Sequence, residues 1–251
     1  MRITFLGCGD AFGSGGRFQT CIVVETRDSC VLLDCGASSL VAMQRHGFAP
    51  ARVDGVLLTH YHGDHFGGLP FLVLEAQFGA FGTQSGSKRT RDLTIAGPVG
   101  VEARMTEVME ALFRGSSTVV RPFALRYIEL PASQATRVGD LLVTAEPVRH
   151  GEGASAHGLR LECDGQVVAY SGDTAWTDAL PRLAAGADLF ICEASFYDRK
   201  TSGHLDYETL AAKRADLDCR RVILTHLGSD VLARRAALAF ECAEDGLTID
   251  V

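Results

Sequence analysis

Short apolar or β-branched runs recur along the chain at Ile3–Leu6, Cys21–Glu25, Cys30–Asp34, Gly55–Thr59, Leu93–Ala96, Leu141–Val148, Leu159–Cys163, Val167–Ser171, Leu189–Cys192 and Val222–Thr225. Their lengths suit buried strands, and several are apolar throughout, as strands covered on both faces are. Helical spacing marks Ser38–His46, Phe66–Phe78, Val101–Phe113, Asp178–Ala185, Tyr207–Ala215 and Asp230–Glu244, several of them followed by Gly in the manner of a helix C-terminus. Strands open the chain as a hairpin-like cluster, and strand–helix alternation comes later. A doubly wound parallel sheet would alternate from the start. The order therefore predicts an α/β sandwich, with sheets packed face to face and helices outside.

Composition narrows the class without changing the picture. The chain has 251 residues, 47% hydrophobic and 22% charged, enough to bury a sizeable core and too apolar for disorder. No repeat or long Pro/Gly/Ser linker divides it, so residues 1–251 are expected to form a single domain. A net charge of −7 gives no long-range attraction to nucleic acid or to an anionic membrane. The apolar run Gly67–Leu74 stops at Glu75, well short of the roughly 18–20 residues a membrane helix needs. The short N-terminal apolar segment is no signal-peptide core, and a cytoplasmic protein is expected. The eight cysteines form no Cys-x-x-Cys pair and read as reduced, mostly buried thiols. The Gly-, Ser- and Thr-rich segment Gly79–Thr90 reads as a mobile loop, and Lys88, Arg89 and Arg91 at its end are candidates to clamp a phosphate.

The chemistry concentrates in Thr59-His60-Tyr61-His62-Gly63-Asp64-His65, between an apolar strand and an apolar helix. In extended backbone, side chains two positions apart point the same way, so His60 and His62 can grip one cation. Asp64 and His65 fall at the turn into the helix, on a different side of the loop, where they can hold a second. Imidazole and carboxylate suit zinc and other borderline divalent metals. With eight histidines in the whole chain, three of them within six positions is poorly explained by chance. His46 and His157 have no such context and are expected at the surface or in supporting positions.

This segment matches in full the His-x-His-x-Asp-His signature of the metallo-β-lactamase superfamily, which the chain resembles from residue 3 to about 226. Phe5-Leu6-Gly7 and Leu32-Leu33-Asp34-Cys35-Gly36 look family-like too, with Asp34 in a position that usually supports the ligand loop. The resemblance implies the family's four-layer αβ/βα sandwich and two divalent metal ions, with Zn2+ expected and Mn2+ or Fe2+ also suited to the ligands. It places the first metal on His60, His62 and His150 and the second on Asp64, His65 and His226, with Asp173, in Ser171-Gly172-Asp173-Thr174, bridging. Asp173 stands where true β-lactamases have cysteine, which points away from β-lactams. Glu193-Ala194-Ser195-Phe196 and Gly203-His204-Leu205 resemble motifs of the ribonuclease Z and phosphodiesterase branch.

That branch implies a hydroxide between the metals as nucleophile, with His204 protonating the leaving oxygen, Glu193 orienting His204 and Asp64 accepting the nucleophile's proton. Two features depart from ribonuclease Z. Leu205-Asp206 replaces the usual Ser/Thr-Thr, and only 23 positions separate His150 from Asp173, too few for a long arm that grasps transfer RNA. The expected substrate is therefore a small phosphodiester, such as a cyclic nucleotide or a short nucleic-acid or RNA 3′ end. A thioesterase or lactonase on the same scaffold and a non-catalytic metabolite-binding protein are the rival readings. No membrane partner is expected, and a homodimer would bury the helix Val101–Phe113 or the loop near Phe78–Phe81.

Overall fold

The computed structural model describes residues 1–79, 89–151 and 155–251. Lys88, Phe81 and most of the expected mobile loop lie outside the described residues. The first strands are β1 (Arg2–Gly7), β2 (Cys21–Glu25), β3 (Cys30–Leu33), β4 (Gly55–Leu57), β5 (Leu93–Gly97) and β6 (Leu125–Glu129). Then follow β7 (Ala135–Val138), β8 (Leu141–Pro147), β9 (His157–Cys163), β10 (Gln166–Tyr170), β11 (Ala187–Glu193), β12 (Cys219–Thr225), β13 (Glu241–Cys242) and β14 (Thr248–Asp250). Two mixed sheets result, in the orders β14-β1-β2-β3-β4-β5-β6 and β13-β12-β11-β10-β9-β8-β7. In the first, β3 to β6 run parallel; in the second, β10 to β13 do. The other pairings are antiparallel.

Apolarity on both strand faces explains the layering. Ile22 and Val24 of β2 point into a core shared with Val143, Leu161, Tyr170 and Ile191 of the second sheet. Cys21 and Val23, on the opposite face, pack under α1 (Ser39–Arg45), and the same outer core takes in the longer helices described below. Two further helices follow from the chain's apolar turns: α2 (Gly63–Phe66) and α3 (Leu69–Phe78), beside α4 (Val101–Leu112), cover the first sheet. On the second, Phe190 and Leu224 pack under α5 (Ala179–Ala184), α6 (Tyr207–Ala212) and α7 (Ser229–Leu232). The fold is the expected α/β sandwich of four layers. α4 turns Val101, Met105 and Met109 into its own core, so much of the apolar face that suggested a dimer contact is spent within the chain.

Two expected helices differ. Phe66–Phe78 breaks at Gly67-Gly68 because the Gly68 N–H leaves the helical pattern to bond Cys35 O at 2.8 Å. Asp230–Glu244 is helical only over Ser229–Leu232 with a short 3-10 turn at Arg235–Ala237; its end becomes β13, and the Ala243 N–H bonds Leu224 O. The open edge of β12 offers these residues backbone partners that a solvated helix would not match.

Candidate active site

The signature loop leaves the end of β4. The other polar groups enter from the chain after β8 (His150), β10 (Asp173) and β12 (His226), with Glu193 closing β11. The rings of His60, His62 and His150 lie with each pair of centroids 4.7 Å apart. Beside them, His65 Nε2 stands 3.4 Å from Asp64 Oδ2 and 3.2 Å from Asp173 Oδ1, and His226 Nε2 stands 3.2 Å from Asp64 Oδ2 and 3.4 Å from Asp173 Oδ2. Asp173 reaches toward the first group as well, 3.9 Å from His150 Nε2. In each group the candidate donor atoms all lie within 4.8 Å of one another. All seven residues expected to share a site are brought together.

Hydrogen bonds behind the rings decide which nitrogen faces inward. His65 Nδ1 lies 2.7 Å from Asp34 Oδ2, so the ring donates Nδ1–H to the carboxylate and turns Nε2 toward the cluster. Asp34 also accepts from the Thr59 N–H and the Thr59 hydroxyl, both at 2.8 Å. With its proton so committed, Thr59 Oγ1 accepts from His60 Nδ1 at 2.9 Å, which frees His60 Nε2. His150 donates Nδ1–H to Gly203 O at 2.7 Å, and His226 Nδ1 lies 2.9 Å from the Ser195 hydroxyl. One buried carboxylate thus orients an imidazole in each group. Asp34 and His226 hold left-handed backbone, φ 58 and 55, at a cost of order 1 kcal/mol each. Gly36 lets the Asp34 loop press on the signature loop, since a Cβ there would meet Asp64 O at 2.2 Å.

These donors fit divalent cations. His60 Nε2 is buried without a hydrogen-bond partner among the described residues, and the buried His65 Nε2 and Asp173 Oδ1 face only each other and Asp64, at 3.2–3.4 Å. Such atoms are costly in a folded protein unless a ligand satisfies them. The charges agree. Burial works to raise the Asp173 and Asp64 pKa values, yet the imidazoles beside them hold both well below the usual carboxylate range. Burial opposes charge on His65, but Asp173 and Asp34 pull its pKa well above normal. The cluster is two acids and five imidazoles arranged to receive positive charge, and metal binding would displace the ring protons.

His204 lies at the edge of this cluster. Its Nδ1 is 3.2 Å from both oxygens of the buried Glu193 and 3.8 Å from Asp173 Oδ2. Burial lowers its pKa, but the hydrogen bond and charge of Glu193 outweigh that and raise it to about 9. The sequence gives Ser195 no role beyond its place in Glu193-Ala194-Ser195-Phe196. Its hydroxyl bonds Glu193 Oε2 at 2.5 Å and lies 2.9 Å from His226 Nδ1 and 3.3 Å from His204 Nδ1, tying the two rings to one carboxylate. A Ser two positions after a strand-end Glu was the available signal. An open cavity of about 320 Å³ sits over the cluster, lined by His62, Asp64, His150, Asp173, His204 and His226 among others.

Two of the basic residues expected at the entrance, Arg89 and Arg91, are engaged elsewhere. Arg89 is 6% exposed and donates to the carbonyls of Val53, Arg91 and Asp92 at 2.6–2.7 Å. Arg91 pairs with Asp54 at 2.6 Å. A guanidinium can satisfy several loop carbonyls at once, and that is the use these two are put to. Lys88 lies outside the described residues.

Residues 30–227 match the model of the beta-lactamase superfamily domain. The chain belongs to the metallo-β-lactamase superfamily. It is a metal-dependent hydrolase, with a site suited to divalent cations. A ribonuclease Z from Methanothermobacter thermautotrophicus is 26% identical, aligned over 316 positions that cover 100% of this chain and 97% of that one. The short form of human tRNase Z superposes with a TM-score of 0.77 at 25% identity, covering 100% of this chain and 99% of that one. The fold protein YhfI from Bacillus subtilis superposes with a TM-score of 0.78 at 22% identity, covering 99% of this chain and 98% of that one. At family level the ribonuclease Z relatives place the activity among metal-dependent phosphodiesterases and nucleases. No helix among the described residues is long and apolar enough to cross a membrane.

Proposed function

We propose that the chain is a dinuclear phosphodiesterase acting on small phosphodiesters, including short nucleic-acid ends. The observation that carries this reading is His204, held by Glu193 in a state that favours its charged form beside the open pocket. An alkoxide leaving phosphorus needs a proton, whereas a thiolate leaving a thioester does not. Ribonuclease Z relatives support the same bond type. The alignment of 316 positions against 251 residues supports a substrate smaller than transfer RNA, because this chain lacks segments those relatives carry.

In this reading His60, His62 and His150 would hold one cation and Asp64, His65 and His226 the other, with Asp173 shared. The pair, zinc here, would supply Lewis-acid charge neutralisation and an activated water at neutral pH. Glu193 accepts the Nδ1–H of His204 and fixes the ring. The Nε2 proton of His204 passes to the departing oxygen. Asp34, Thr59 and Ser195 keep the imidazoles aimed.

Kinetics on metal-defined protein test it. Asp173→Ala should cost far more turnover than His204→Ala on an alkyl phosphodiester, and His204→Ala should cost about 10²–10⁴-fold, the usual range for a general acid. A preference of the unmodified protein for a thioester or a lactone over bis(p-nitrophenyl) phosphate would defeat the choice of bond.

A further inference from the structure

The rim of the pocket carries groups that the metal chemistry does not use. Phe12 is 93% exposed and lines the same cavity as His62, Asp173 and His204. Its loop is firmly built. The buried Asp10 carboxylate accepts from the Phe12 N–H at 3.2 Å, the Ser14 N–H at 2.8 Å and the Ser14 hydroxyl at 2.6 Å. Gly13 follows with φ 66, a turn that leaves the phenyl ring standing out beside the pocket. A single exposed aromatic is ordinary on a protein surface; one presented by a pinned turn at a catalytic opening is a ready stacking platform.

A cation stands on the same rim. The Arg199 guanidinium lies 3.8 Å from the centre of the Phe196 ring, and Phe196 sets its edge toward His204 at 6.1 Å. Stacking engages the face of the guanidinium and leaves its N–H donors in the plane, available to a phosphate oxygen. The cavity, about 320 Å³, is at the small end for ligand sites, which suits one nucleotide unit better than a duplex.

We propose that this rim is a nucleoside subsite: Phe12 stacks on the base of the substrate and Arg199 binds one of its phosphate oxygens, so the substrate is a nucleoside phosphodiester. This rests on the phosphodiester reading above. Bases stack on aromatic side chains regardless of sequence, so the subsite selects a nucleoside without selecting which one.

The test compares thymidine 5′-(p-nitrophenyl phosphate) with methyl p-nitrophenyl phosphate, using the metal-loaded full chain. The unmodified protein should prefer the nucleoside ester in kcat/KM by at least about tenfold. Phe12→Ala should lower that preference about tenfold, and Phe12→Trp should restore it. Arg199→Ala should raise KM for the nucleoside ester about tenfold, with a weaker dependence on salt. An unchanged preference in Phe12→Ala, or no restoration by Phe12→Trp, would overturn the subsite while leaving the phosphodiesterase intact. Hydrolysis of neither ester by the unmodified protein would instead refute the phosphodiester reading, and the subsite with it.

Discussion

Replacing Asp34 by Asn removes one charge and one acceptor from a buried position that belongs to neither group of candidate ligands. Asp34 accepts three hydrogen bonds, from the Thr59 N–H and hydroxyl at 2.8 Å each and from His65 Nδ1 at 2.7 Å. Asn has a single acceptor oxygen. If that oxygen keeps the Thr59 N–H, the amide NH₂ meets His65 Nδ1 and Thr59 Oγ1. His65 must then accept at Nδ1 and carry its proton on Nε2, the atom 3.2–3.4 Å from Asp173 and Asp64. Thr59 Oγ1, now accepting from the amide, turns its own proton toward His60 Nδ1 and pushes that ring to the same wrong tautomer. The backbone is preserved, because Asn tolerates the φ of 58 found here about as well as Asp does.

Loss of such supporting partners typically weakens metal binding 10–100-fold, about 1.4–2.7 kcal/mol. With one imidazole affected in each group, the upper end is expected, near 100-fold. Titration of apo protein with zinc against a chromophoric chelator reads this directly. An affinity within threefold of the unmodified protein would show that Asp34 does not set the tautomers.

Arg89→Ala should cost about 2–4 kcal/mol in urea unfolding by stranding three carbonyls, with kcat/KM unchanged; lost activity at full stability would restore the phosphate clamp suggested by the sequence. Removing metal with a chelator should lower Tm. A cation at 100 times its Kd adds about 2.7 kcal/mol, or about 5–10 °C for a chain of this length. Equal Tm values with and without metal would contradict a site built around cations.

Ten core strands and the clustering of His60, His62, Asp64 and His65 could be read without coordinates, for a local reason. A strand buried on both faces must be apolar at nearly every position, and His60 to His65 are neighbours in the chain before they are neighbours in space. His150, Asp173 and His226 were reachable only through their resemblance to family motifs.

The four strands that no apolar run marks, β6, β7, β13 and β14, are the four edges of the two sheets. An edge packs on fewer neighbours and can stay polar, as Leu125–Glu129 and Ala135–Val138 do, so no hydrophobic run announces it. Other roles depended on the fold alone. Asp34 reaches Thr59 and His65 across 25 and 31 positions, and Ser195 reaches His226 across 31. Arg89 is a candidate phosphate clamp in the sequence because charge there carries no direction; packing turns it inward onto loop carbonyls. Residue types thus set which chemistry was available, while the meeting of the loops at the strand ends decided which ring nitrogen, hydroxyl and guanidinium would take part in it.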